Sequence, residues 1–291
     1  MSRATRGTLH LEDGRIVRQT AHEAEQFVLR LAAPACAARA EPGSFVHVTC
    51  DPAIAMRRPL SIMRADREAG WIDLLYKIVG PGLRALAARR PGDTVSLIGP
   101  IGVPFAPHPD RPRAVLIGGG VGIPPMIFLA ERLRAAAQRR YRPLVLMGSE
   151  VPFPFQARPS TLVVPGMPAG TIAAMPLLEE WDVPSRLASR AGFPGCFDGY
   201  VTELASEWLG SLRPAELAEV ELFACGPTPM LAATAQLARR YGVPCQVSLE
   251  EYMACGVGGC AGCTVRVRTP EGEAMKRVCV DGPVFDALQV F

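Results

Sequence analysis

Four cysteines near the carboxyl end constrain this chain more than any other feature. Cys255, Cys260 and Cys263 follow one another in a C-x4-C-x2-C frame, and Cys279 comes after fifteen further residues. That is the plant-type spacing for a [2Fe–2S] cluster. Only Gly, Val and Ala stand between the first three cysteines. Small residues suit a loop that wraps several thiolates with cramped backbone angles, and such a loop brings backbone N–H groups to the sulfurs, where they offset negative charge. A structural Zn²⁺ site is the rival, because four thiolates also suit zinc; zinc ribbons, however, usually pair two short Cys-x2-Cys turns, whereas three cysteines crowd one loop here. A disulfide framework has little support, since nothing marks the chain as secreted.

At 291 residues the chain is long enough for two domains and a small third, and 49% hydrophobic content supplies real cores. With 31 basic and 28 acidic residues the net charge is +3, which leaves no electrostatic footprint of nucleic-acid binding. The amino terminus, residues 1–7, runs into polar sequence without an apolar core, and no apolar run reaches the roughly eighteen residues a membrane span needs. The expectation is a soluble, cytoplasmic protein. Of the remaining cysteines, Cys36, Cys50, Cys196 and Cys245 read as buried thiols.

From about residue 7 to 105 short strand-like runs alternate with turn signals. Residues 27–31, 45–48, 72–79 and 94–98 are the strands, and Pro42-Gly43, Pro91-Gly92-Asp93 and Gly99-Pro100 the turns, which predicts a small antiparallel barrel or sandwich. Two places here are chemically loaded. Arg57-Arg58-Pro59-Leu60-Ser61-Ile62 joins guanidinium groups to a hydroxyl on a segment that the proline keeps extended; Arg58 and Ser61 are then separated by roughly 10 Å, a reach that suits a phosphate at one end and a ring edge at the other. Gly80-Pro81-Gly82-Leu83 opens a short helix whose free N–H groups can take phosphate. Taken singly, each is also an ordinary surface feature.

At Pro112 the rhythm changes. Residues 113–117 form a continuous apolar run typical of a buried parallel strand. They enter Gly118-Gly119-Gly120-Val121-Gly122, after which apolar residues recur at helical spacing through Leu133 and Ala136. Strand, glycine loop and helix in that order present N–H groups to a pyrophosphate. Further strands are expected at 143–147, 161–164 and 219–224, making an open parallel sheet. The last strand ends in Cys225-Gly226-Pro227-Thr228-Pro229-Met230, a tight turn before a helix over 231–241. Ligands in such sheets sit beyond the carboxyl ends of the strands, so residues 118–122 and 225–227 should line one crevice. Glu150 reads as an exposed loop carboxylate, with a ribose contact as its alternative, and residues 150–200, rich in Pro and Gly, resist ordering. The final fifty or so residues carry the four cysteines and an alternating strand over 264–268. So small a segment has little core, and ligation must supply much of its folding energy. His10, His22, His47 and His108 are scattered and receive no role.

Together these stretches resemble the electron-transfer subunits of NAD-linked dihydroorotate dehydrogenases, a branch of the ferredoxin–NADP reductase superfamily. The resemblance covers nearly the whole chain. It rests on Arg58-Pro59-Leu60-Ser61, Leu75-Tyr76-Lys77 with Gly82-Leu83, the run from Gly118 to Pro125, Cys225-Gly226-Pro227-Thr228-Pro229-Met230, the cysteine loop and the segment from Cys279 to Phe285. It implies an FAD-binding β-barrel domain (1–110), an α/β parallel-sheet, Rossmann-like NAD(P)-binding domain (111–246) and a small [2Fe–2S] domain (247–291). By the same resemblance Arg58 binds the FAD pyrophosphate, Ser61 faces the isoalloxazine, Tyr76 and Lys77 flank flavin and ribityl, and Gly82 and Leu83 hold phosphate; Pro59, Leu60 and Leu75 belong to the same two strands. Gly119, Gly120 and Gly122 seat the nicotinamide dinucleotide, with Cys225, Gly226 and Pro227 near its ring. Ser61 and Cys225 are thus the residues expected at the reacting atoms, and Cys255, Cys260, Cys263 and Cys279 the cluster ligands. Leu83 departs from the family, which commonly has a small hydroxyl residue there, and residues 192–202 match its acidic, glycine-rich stretch only loosely.

The three groups belong together chemically. A nicotinamide exchanges a hydride, a [2Fe–2S] cluster carries one electron, and a flavin can do both. With no evident site for an organic substrate, the electrons are expected to pass to a docked protein near residues 255–263. In the family this is an FMN-bearing dihydroorotate dehydrogenase catalytic subunit; a stand-alone NAD(P)H reductase serving a ferredoxin or hydrogenase module is the alternative, and a zinc-stabilised regulatory module the non-enzymatic one.

Overall fold

The computed structural model describes residues 9–136 and 140–291; the polar amino terminus, residues 1–7, lies outside them. The chain divides into two compact units, one formed by Met1–Pro104 with Leu249–Val284, the other by Phe105–Ser248 with Phe285–Phe291.

In the first unit six strands close into a barrel: β1 (His10–His22), β2 (Gln26–Ala32), β3 (Phe45–Val48), β4 (Arg58–Asp66), β5 (Trp71–Lys77) and β6 (Thr94–Ile101), in the order β1-β2-β5-β4-β3-β6. Every neighbouring pair is antiparallel. Closure removes the sheet edges, and Ile16, Leu29, Leu31, Val46, Val48, Ile62 and Leu74 are among its fully buried side chains. A short helix, α1 (Pro34–Ala37), follows β2, and α2 (Gly80–Ala87) follows β5. Helix α2 opens at Gly80-Pro81-Gly82, and its cap residue, Val79, makes no side-chain hydrogen bond to the first turn.

The second unit is built on parallel strands. In chain order it contains β7 (Arg113–Gly119), α3 (Ile123–Arg134), β8 (Leu144–Gly148), the short pair β9 (Arg158–Pro159) and β10 (Ala173–Ala174), α4 (Pro176–Glu180), β11 (Ser185–Ala188), α5 (Val201–Gly210), α6 (Pro214–Leu217), β12 (Val220–Cys225), α7 (Thr228–Tyr241) and β13 (Cys245–Ser248). The sheet order is β11-β8-β7-β12-β13, and all four pairings are parallel. One expectation is corrected. Residues 161–164 form no strand, and Val163 is 86% exposed. The place beside β8 is taken by β11, whose buried Arg186 donates to the Leu162 carbonyl at 2.6 Å.

The carboxyl-terminal segment adds an antiparallel hairpin of β14 (Thr264–Thr269) and β15 (Gly272–Arg277), then β16 (Val284–Asp286), which joins the parallel sheet beside β13, and α8 (Ala287–Val290). The four cysteines cluster with the barrel unit.

Candidate functional site

The Arg57-Arg58 pair divides its labour. Arg57 clamps the barrel: its Nη1 donates to the carbonyls of His47 (3.2 Å) and Ser96 (3.0 Å), and its Nη2 to Ser96 Oγ (3.0 Å). Arg58 is turned to the start of α2. A Cβ built on Gly82 would stand 2.8 Å from Arg58 Nη2, so the guanidinium occupies the space that the bare glycine leaves. Arg58 Nη1 is steadied by the Met56 carbonyl at 2.6 Å. The two segments that the sequence marked for phosphate therefore meet at one spot, with a cation beside uncapped helix N–H groups, a cradle that suits a pyrophosphate.

The other residues of this region are placed as follows. Pro59, Leu60 and Ser61 lie on β4, opposite His47, Val46 and Phe45 of β3 respectively, with Ser61 half-buried. Leu75 and Tyr76 are buried on β5, where Lys77 is half-exposed. The Tyr76 ring is committed to the barrel: it stacks on Phe27 at 5.4 Å, and its hydroxyl donates to Gln19 Oε1 at 3.1 Å. Burial pushes the phenol pKa well up. Leu83 is buried on α2, so its possible polar contribution is its backbone N–H.

In the second unit, the sheet reverses direction of growth between β7 and β12. Strands β8 and β11 lie to one side and β13 to the other, and the crevice beyond such a switch point is where α/β sheets bind ligands. Gly118 pairs with Cys225 there. Gly119 ends β7, Gly120 begins a single 3₁₀ turn with φ +53°, and Gly122 leads into α3. A Cβ on Gly122 would lie 2.2 Å from the Cys225 carbonyl oxygen and 2.5 Å from the Gly226 nitrogen; one on Gly119 would lie 3.2 Å from Pro227. Both loops thus close on one another backbone to backbone, and Cys225 is fully buried.

The cysteines stand in two pairs. Cys263 and Cys279, both buried, have their sulfurs 3.4 Å apart. Cys260 lies within hydrogen-bonding reach of Cys255 through both its N–H (3.4 Å to Cys255 Sγ) and its thiol. Among the described residues no three His, Cys, Asp or Glu side chains gather as a single metal ion would need. Two pairs suit a core of two irons, each taking two thiolates. Backbone N–H groups converge on the sulfurs: those of Val257, Gly259 and Cys260 on Cys255, that of Gly258 on Cys279, and that of Gly262 on Cys260 at 3.4 Å. Desolvation opposes ionisation of Cys255, but these donors outweigh it and bring the thiol down to about 7. Burial, with the neighbouring Cys263, pushes Cys279 up to about 12. Gly256 has φ +67°, which fits the small-residue loop the sequence suggested.

Beneath this loop lies a residue that sequence reasoning passed over. His47, on β3, is fully buried, and its Nδ1 would be 2.7 Å from a Cβ on Gly256. Its only sequence signal is a histidine inside an otherwise apolar strand.

Residues 250–291 match the family model described as the iron-sulfur cluster binding domain of dihydroorotate dehydrogenase B. The dihydroorotate dehydrogenase B (NAD(+)) electron transfer subunit of Bacillus caldolyticus is 36% identical over 258 residues, 86% of each chain. That of Shouchella clausii is 32% identical over 281 residues, covering 94% of this chain and 96% of its own. The chain belongs to this family of electron transfer subunits. Among solved structures, the NADH-dependent reduced ferredoxin-NADP oxidoreductase studied for flavin-based electron bifurcation is 26% identical with a TM-score of 0.75, over 96% of this chain and 89% of that one. A ferredoxin NADP+ reductase from Neisseria gonorrhoeae with bound FAD and NADP shares the fold, with a TM-score of 0.57 at 17% identity, over 80% of this chain and 92% of that one. As the family's fold requires, a closed antiparallel barrel precedes a parallel-sheet unit.

Proposed function

We propose that this protein passes electrons between a [2Fe–2S] cluster, FAD and NAD(H), serving an FMN-containing dihydroorotate dehydrogenase catalytic subunit in pyrimidine biosynthesis. The observation that carries the reading is the presence of two cysteine pairs, Cys255/Cys260 and Cys263/Cys279, in the same compact unit as the Arg58–Gly82 cradle.

Arg58, with the N–H groups of Gly82 and Leu83, would hold the FAD pyrophosphate. Pro59, Leu60, Leu75, Tyr76 and Lys77 would wall the flavin through their strands, Tyr76 by its backbone because its ring serves the barrel. Ser61 is assigned to the reacting edge of the isoalloxazine. Gly119, Gly120 and Gly122 would seat the dinucleotide pyrophosphate, and Cys225, Gly226 and Pro227 would border the nicotinamide. A bound flavin supplies the exchange between two-electron hydride chemistry and the single-electron chemistry of a cluster. The side chains need only bind, orient and exclude water, and no acid–base pair is required. The domain scheme is correspondingly FAD barrel (1–110), NAD(P) domain (111–246) and cluster segment (247–291), and the complex a hetero-oligomer in the cytoplasm, with the partner docking near the cysteine loop.

The test is an absorption spectrum with iron and flavin analysis of anaerobically purified protein, followed by dihydroorotate-dependent NAD⁺ reduction on adding an FMN-bearing catalytic subunit. A colourless protein containing zinc overturns the electron-transfer reading; a coloured protein that gives no activity with that subunit overturns the partner. A second reading, a stand-alone NAD(P)H reductase for another redox protein, is favoured by the likeness to the ferredoxin-NADP oxidoreductase and predicts electron transfer to a ferredoxin instead.

A further inference from the structure

We propose that His47 is a positioning residue for the cysteine loop and sets the reduction potential of the cluster it would hold. The inference rests on the cluster reading above and concerns a side chain that reading does not use. His47 is fully buried, and neither ring nitrogen has a hydrogen-bond partner. Burying a polar group without a partner is costly, so an imidazole in an apolar strand needs a reason for being there. Its surroundings supply one. The ring lies directly under Gly256, the first residue after Cys255, close enough to exclude any side chain at that position.

The consequence follows from the peptide geometry of the loop. The imidazole packs against Gly256, the residue after Cys255, and so helps fix the turn whose N–H groups reach the Cys255 sulfur, that of Cys260 at 3.4 Å. N–H groups on a cluster sulfur favour the more negative, reduced state and so raise its potential. His47 also has a second attachment. It pairs with Pro59 in the β3–β4 register, and its carbonyl accepts from Arg57 Nη1 at 3.2 Å. The strand that braces the cysteine loop is therefore the hydrogen-bonded neighbour of the Arg58-Pro59-Leu60-Ser61 segment. A single side chain couples loop shape to that strand.

The experiment uses the full-length protein purified anaerobically, with iron content, the EPR spectrum of the dithionite-reduced state and an EPR-monitored redox titration as readouts. His47→Leu fills the space without a nitrogen, His47→Asn keeps a polar nitrogen near the Nδ1 position, and Gly256→Ala keeps the imidazole but drives a methyl group into it. His47→Leu and Gly256→Ala should move the midpoint potential negative by about 59 mV or more, the equivalent of a tenfold change in a one-electron equilibrium, with altered g-values, while His47→Asn stays closer to wild type. Wild-type potential and spectrum in iron-replete His47→Leu overturn the proposal. If both His47 variants lose iron, Gly256→Ala decides, and an unchanged potential there overturns it. An iron-free wild-type protein is a different failure, since it removes the cluster reading and takes this proposal with it.

Discussion

Gly82 presents a bare Cα to the guanidinium of Arg58, and a Cβ at that position would stand 2.8 Å from Nη2 and 2.9 Å from Cζ. The contact unites two segments twenty-four residues apart in sequence into one anion cradle. A hydrogen bond to a charged group contributes about 1.5–3 kcal/mol, so Arg58→Ala should weaken FAD retention on the order of ten- to a hundredfold. Gly82→Ala should weaken it by a smaller factor, because the flexible guanidinium can shift. Flavin released on dialysis, measured by fluorescence, checks both. Full retention in Arg58→Ala would remove the cradle from the flavin site.

Gly122 meets backbone instead of a side chain, and the Cys225 carbonyl cannot retreat without bending β12. Gly122→Ala should therefore cost about 1–3 kcal/mol, as overpacking typically does. It should also raise the KM for NADH by prising the two loops apart. Thermal unfolding and steady-state kinetics report the two effects, and a variant of normal stability and normal KM would show that the loops need not touch.

Cys225 is fully buried at the end of β12. In the proposed place beside a bound nicotinamide, it would govern orientation more than affinity. Cys225→Ala is expected to slow flavin reduction by NADH on the order of tenfold, with FAD and iron content unchanged. Stopped-flow absorption measures the step. An unchanged rate would assign the thiol to packing alone.

Two buried thiols outside the cysteine loop make an alkaline prediction. Burial, with a smaller contribution from Glu12, pushes Cys36 up to about 12, and burial pushes Cys50 up to about 11 despite the nearby Arg58 and Arg89. In the unfolded chain both ionise near their ordinary value of 9.0. Above that pH the folded state binds more protons than the unfolded one, so stability falls as pH rises. The loss should begin near pH 9 and level off near pH 11 for Cys50 and pH 12 for Cys36. Cys36→Ala should flatten the profile relative to wild type in melting curves recorded from pH 8 to 11; identical slopes would refute the assignment.

Segment 249–284 buries few apolar side chains of its own: Leu249, Val267, Val278, Pro283 and Val284, beside Cys263 and Cys279. Iron removal by a chelator should therefore expose this segment to proteolysis while the barrel and the parallel sheet persist. Limited digestion with mass spectrometry locates the cut. Equal resistance of iron-free and loaded protein would mean that ligation contributes little to its folding.

Much of the molecule was legible from spacing. The strand–glycine–helix run at 113–134 and the strand that ends at Cys225 each place a requirement on consecutive residues, and each folds as read. Strand β1 was not legible. Of its apolar side chains, Leu11 and Val17 are exposed and only Ile16 is buried in the barrel, so no period-2 pattern marks it. It is held by ladders to β2 and β6 on both sides, which a local window does not contain. The β-branched run at 161–164 misled for the converse reason: it has strand composition but no neighbouring strand to pair with, whereas polar Ser185 and Arg186 do.

Local order along the chain thus carried most element types and the glycine loops, because those depend on residues within a turn or two of one another. Contact across strands carried the rest. That Arg58 faces Gly82 while Arg57 faces Ser96, and that His47 lies beneath Gly256, follows from barrel register and from packing between segments up to about two hundred residues apart. No spacing in the sequence encodes such distances, because they are set by which strands close the barrel.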